Sequence, residues 1–122
     1  MLTDDLLQFV RSHLKTVWAL DILMLLRRTP DRAWTAEEIV QELRSSAAAV
    51  NEALTALRHG GLVGDAPENR HRYLPASPEL DSRVAAIQSV YTEQPMALIR
   101  TILSAPNAKI RSFADAFKLS KD

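Results

Sequence analysis

Asn51 and Thr55, four residues apart in "SSAAAVNEALTALRHGG", carry groups that can hydrogen-bond the edges of bases. If this stretch is helical, Ala48, Glu52, Thr55 and His59 lie opposite Val50 and Leu57, with Ser45, Asn51 and Arg58 flanking them. Ala48 can touch a thymine methyl, whereas Glu52 can only accept from cytosine or repel phosphate. Ser45 or Ser46 caps the start, the end that would enter a groove. A second group follows in "RHRYL". Arg70 and Arg72 alternate onto one side of a short strand, with His71 between them and Tyr73 after them. The chemistry this set would suit is contact with DNA: amide and hydroxyl groups for bases, guanidinium groups for phosphate. Arg27, Arg28 and Arg32 add backbone contacts if they lie beside the groove, and the plainer reading is that all these cations are solvated.

Other chemistries find little to use. His13, His59 and His71 are scattered, and none stands at metal-ligand spacing with a carboxylate or another histidine. The three glycines form no phosphate-cradling loop, and there is no cysteine to serve as nucleophile, thiolate ligand or disulfide. Asp21 stands in the apolar run "VWALDILMLL", where a carboxylate more often pairs with an arginine or faces a partner than acts as an acid. We expect no catalytic residue, metal or cofactor.

The elements that must position these groups have their own signals. Leu2–Arg28 is apolar at helical spacing and reads as one helix or as two meeting near Ser12–Thr16; Pro30 stops it after the two arginines of "RRTPD". In "AWTAEEIVQEL", Thr35 and Glu38 form a capping box, and Trp34 with Ile39 has the spacing of a hydrophobic staple. A helix near 35–44 and another near 46–59 follow, the latter burying Ala47, Val50, Ala53, Leu54 and Leu57, with Gly60 as its left-handed stop. The hydrophobic period then changes from helical to alternating. "LVGD" and "RHRYL" read as a hairpin near 62–66 and 70–74, turning through "APEN". Beyond Leu74, Ser77-Pro78 and Pro95 open two more helices, and "NAKIRSFADAFKLSKD" is amphipathic.

The order helix, short helix, turn, helix, hairpin, carried by "WTAEEIVQELRSSAAAVNEALTALRHGGLV" and "NRHRYLP", resembles small bacterial winged helix-turn-helix regulators, the broad group that includes the MarR-type proteins. The resemblance covers about Val17 to Leu74 and implies a mainly α winged helix-turn-helix with a two-stranded β-wing and a helical C-terminal extension. We expect residues 1–76 to form that module with its N-terminal helix, and 77–122 to extend the same globular unit. The implied function is DNA-binding transcription regulation, non-enzymatic, with double-stranded DNA and a second copy of the chain as partners.

Charge supplies the competing reading. The 122 residues have a formal net charge of zero, and Thr35–His59 sets Glu37, Glu38, Glu42 and Glu52 against Arg44 and Arg58. Phosphate neutralisation supplies most non-specific affinity for DNA, so this stretch alone grips duplex weakly. An alanine-rich face also permits close approach of another protein, and a docking module without sequence-specific DNA binding is the alternative. The longest apolar run is about half of the ~20 residues a membrane-spanning helix needs. The start "MLTDDLL" is acidic, unlike a secretory or mitochondrial presequence, so a cytoplasmic protein is expected. In the tail, Ile110, Phe113 and Phe117 form one stripe. With help from Met96, Ile99 and Leu103, we expect it to cover a second copy or the first helix, Leu6–Leu14.

Overall fold

The computed structural model describes residues 3–104. It is mainly helical, with six helices and a three-stranded antiparallel sheet: α1 (Asp4–His13), α2 (Val17–Arg28), β1 (Trp34–Thr35), α3 (Ala36–Leu43), α4 (Ala47–His59), β2 (Val63–Ala66), β3 (Arg70–Tyr73), α5 (Pro78–Glu93) and α6 (Pro95–Ser104). The strand order is β1-β3-β2. The N-terminal segment is two helices. Leu14 closes α1, and the Thr16 hydroxyl opens α2 by accepting from the Ala19 amide at 3.0 Å, so a second cap interrupts an otherwise continuous apolar pattern.

The capping box at α3 forms in both directions. The Glu38 amide donates to Thr35 Oγ1 at 3.1 Å, and the Thr35 amide donates to Glu38 Oε1 at 2.9 Å. Trp34 and Ile39, the staple pair, are both buried. Arg44 ends α3 in the left-handed region at φ 53°, and Ser46 caps α4 by accepting from the Ala49 amide at 3.2 Å. The exit from α4 corrects the expected stop. Gly60 is right-handed, and Gly61 takes the left-handed conformation at φ 76°. The Leu62 amide donates to the Leu57 carbonyl at 3.0 Å and the Gly61 amide to the Arg58 carbonyl at 3.1 Å, the Schellman pattern, which places the left-handed residue one position beyond the cap.

The sheet also departs from the expected two strands. β2 and β3 pair as a hairpin with Val63 opposite Tyr73 and Ala66 opposite Arg70, turning through Glu68 and Asn69 at φ 65° and 60°. β1 adds a third strand on the other edge of β3, Trp34 opposite His71 and Thr35 opposite Arg70. The residues leading into α3 thereby tie that helix to the hairpin.

One core joins the described elements. Leu20, Leu23 and Leu26 of α2 sit with Ile39 of α3 and with Leu54 and Leu57 of α4, all essentially without solvent contact. Val84 and Ile87 of α5 and Leu98 and Ile102 of α6 are buried in the same cluster, alongside Phe9 and Val10 of α1. The helices after the hairpin therefore complete this core rather than append to a finished one. Ile110, Phe113 and Phe117 lie outside the described residues.

Candidate nucleic-acid interface

α4 divides cleanly between core and solvent. Val50, Ala53, Leu54 and Leu57 are buried, and Ala47, Ala48, Asn51, Glu52, Thr55, Arg58 and His59 are exposed. The spacing that packs the helix at every third and fourth residue leaves the intervening residues on a solvent-facing side. Asn51 keeps its side-chain amide open to solvent. Thr55 Oγ1 donates to the Asn51 carbonyl at 2.9 Å, so its hydroxyl offers outward only acceptor capacity. Of the two serines at the start of α4, Ser46 spends its oxygen on the cap. The Ser45 hydroxyl is buried without a hydrogen-bond partner, which removes it from the expected contact set.

The hairpin stands beside this face. Between it, the start of α3 and α4 lies a cleft of about 430 Å³, bordered by Glu37, Asn51, Arg58, Asn69 and His71. Glu37 and Asn69 are the residues here that sequence reasoning missed. Glu37 is carried in by the cap of α3, and Asn69 by the left-handed turn of the hairpin.

The three wing residues, expected to act together, separate by environment. Arg72 is exposed, and no described carboxylate pairs with it. Arg70 is engaged: its Nη1 donates to Glu38 Oε1 at 3.0 Å and to the Ala33 carbonyl at 3.2 Å, bonding β3 to the entry of α3. The same carboxylate meets Arg32 through Oε2 at 3.5 Å, and Arg32 stacks on Trp34 with its guanidinium carbon 3.5 Å from the ring centre. The Thr35 amide above all, with the two arginines assisting, holds the Glu38 carboxyl below the usual glutamate range. His71 turns inward. Burial, then Arg58, pushes it below the usual histidine range against the pull of Asp65, so at neutral pH it is uncharged. Its Nδ1 lies 3.7 Å from Asp65 Oδ1, beyond hydrogen-bond reach. Neither Arg70 nor His71 therefore stands as a ready phosphate ligand.

Arg58 is intermediate. Its Nε lies 3.4 Å from Asp65 Oδ1, with side chains 46% and 66% exposed. A pair this exposed is worth about 0–1 kcal/mol, little enough for a phosphate to displace Asp65.

Elsewhere, Asp21 accepts from the Tyr91 hydroxyl at 3.2 Å at the edge of a cleft of about 410 Å³ between α2, α3 and α5, and burial raises its carboxyl against Tyr91 and Arg28. Among the described residues, no three His, Asp or Glu side chains converge as metal ligands, and no helix is long and apolar enough to cross a membrane. Comparisons with family models, curated proteins and solved structures find no match to this chain.

Proposed function

We propose that the chain is a non-enzymatic, cytoplasmic winged helix-turn-helix protein that binds double-stranded DNA and regulates transcription. In this reading α3 and α4 are the helix-turn-helix, α4 enters the major groove, and β2–β3 is the wing. The observation that carries it is the solvent face of α4. Ala48, Asn51 and Thr55 stand exposed there, with a hairpin at its side bearing Arg72, which pairs with no carboxylate among the described residues. A major groove about 12 Å wide admits a helix presented this way. Arg72 and Arg58 supply phosphate contacts, while Asn51 and Thr55 supply base contacts. A second copy on the other half of a two-fold operator belongs to the same reading.

One observation favours the alternative, a protein-docking module. Glu38 holds Arg70 and Asp65 touches Arg58, so the cations around α4 are partly neutralised, and Ala47 and Ala48 leave the start of the helix smooth. Selection of bound fragments from random duplex at low salt separates the two readings. The DNA reading expects retained duplex, with sequence preference altered by Asn51→Ala and Thr55→Ala. If no duplex is retained, the docking reading takes its place.

A further inference from the structure

One carboxylate oxygen stands between a guanidinium and an imidazole. Asp65 Oδ1 lies 3.4 Å from Arg58 Nε of α4 and 3.7 Å from His71 Nδ1 of β3. The hairpin register arranges this, because Asp65 and His71 are opposite each other across β2 and β3 and share a face. His71 is the group whose bonding is incomplete. Its side chain is 13% exposed, and Nδ1 is buried with no hydrogen-bond partner among the described residues. A buried ring nitrogen without a partner costs stability. Protonation makes Nδ1 a charged donor in either starting tautomer, and Asp65 is the acceptor within reach. The Asp65 side chain is 66% exposed, so it is free to rotate through the ~0.5 Å that separates 3.7 Å from a hydrogen bond.

Among the described residues, the charged groups around His71 come from three elements. Arg58 is on α4, Asp65 is on β2, and Glu37 of α3 borders the same cleft. β1 brings Trp34 and Thr35, which carry no charge, and the neighbouring Arg70 is engaged by Glu38. The formal charges of Arg58, Asp65 and Glu37 are +1, −1 and −1, a net of −1. At neutral pH the cleft is therefore acidic and its arginine is paired, which disfavours an approaching phosphate. A proton on His71 brings the sum to zero and gives Asp65 a second cation to neutralise.

We propose that His71 and Asp65 gate Arg58: a proton on His71 draws Asp65 toward Nδ1 and frees the Arg58 guanidinium for a phosphate of the duplex. The inference rests on the DNA reading and adds a proton to it. Linkage makes the effect reciprocal. A phosphate that takes Arg58 removes the cation that opposes protonation of His71, so duplex binding takes up a proton and affinity rises as pH falls. In the free protein, burial and Arg58 keep His71 below the usual histidine range, so the gain lies on the acid side of neutrality.

Fluorescence anisotropy of the full chain on a labelled random-sequence duplex, at fixed ionic strength and in steps from pH ~7.5 to ~5.5, reads the linkage. Affinity should rise on acidification by a few-fold, up to ~tenfold per pH unit, the limit for uptake of one proton. His71→Gln should flatten this response, and His59→Gln, on the same helix as Arg58, should leave it in place. Asp65→Asn should raise affinity at neutral pH, because it removes the carboxylate that pairs with Arg58. A second measurement needs no duplex. In the free protein, the His71 ring followed by proton NMR should titrate at higher pH in Arg58→Ala than in the wild type, a shift that a merely structural role for Arg58 would not give. Failure to bind duplex at any pH falls on the DNA reading and takes the ligand of this site with it. A His71 titration unmoved by Arg58→Ala, or a pH response that survives His71→Gln, overturns the gate while the DNA reading stands.

Discussion

Salt dependence of duplex binding distinguishes the three arginines around α4. Among the described residues, Arg72 is exposed and pairs with no carboxylate, Arg58 is paired with the exposed Asp65, and Arg70 is bonded to Glu38 and to the Ala33 carbonyl. Each phosphate neutralised adds about 0.9 to the slope of log K against log salt. Arg58 and Arg72 together therefore contribute a slope of about −1.8, which is a loss of roughly twelvefold in affinity between ~50 and ~200 mM salt. Arg72→Ala should cut that share to about 3.5-fold, the double variant Arg58→Ala/Arg72→Ala should remove it, and both should act alike on every duplex sequence. Arg70→Ala should leave the slope unchanged and lower the melting temperature instead, because it cuts β3 from α3. Fluorescence anisotropy on a labelled duplex across a salt series, with thermal melts in parallel, measures both quantities. A flattening by Arg70→Ala equal to that of Arg72→Ala would refute the assignment of Arg70 to the fold.

Three further outcomes follow from the packing. Gly61→Ala must hold a left-handed backbone, at a cost of roughly 1–2 kcal/mol, and its Cβ would stand 3.2 Å from the Ala76 Cβ; Gly60→Ala has an ordinary backbone and asks only the His13 ring to move, so urea melts should rank Gly61→Ala as the less stable variant. Burial raises Asp21, so its ionisation opposes folding: stability from this group is fully present below the ordinary aspartate value and declines as pH rises through the raised one. Asp21→Asn, whose carbonyl still accepts from Tyr91, should therefore raise the melting temperature at neutral pH and change it little at pH ~3. Burial, then the 2.6 Å hydrogen bond to Asp81, pushes Tyr73 to about 12, and Tyr91 is raised too, so absorbance at the tyrosinate band should stay low at pH ~10, and the stability Tyr73 contributes should be lost between about 10 and 12.

What the sequence revealed beforehand was local. The capping box is written within four residues, and the stripe of α4 within eight, so Thr35–Glu38 and Val50–Leu57 were readable without the fold. β1 was not, because two residues show no periodicity and its partner strand lies more than thirty residues away. The same distance hides the pairing of Arg70 with Glu38: in the sequence one reads as a phosphate ligand and the other as a cap, and only the three-stranded sheet brings them together. Of the residues singled out for DNA contact, Ser45 and His71 bury their polar atoms and Arg70 is bonded to Glu38, while Ser46, Ala48, Asn51, Thr55, Arg58 and Arg72 stand at the surface.

Glu38 ends up serving several elements with one carboxylate. Its Oε1 receives the Thr35 amide that starts α3 and the Arg70 guanidinium that arrives from β3, and its Oε2 reaches Arg32 from the loop before the sheet. The tilt of the hairpin and the first turn of the helix are therefore not independent settings. A load on the hairpin tip, as when a ligand draws it toward α4, reaches the start of α3 through this oxygen and through the short ladder of β1. Substitutions that re-aim the hairpin would then need a matching change at position 38 or 32. Variation at positions 32, 38 and 70 should be correlated in any set of functional variants selected from a library.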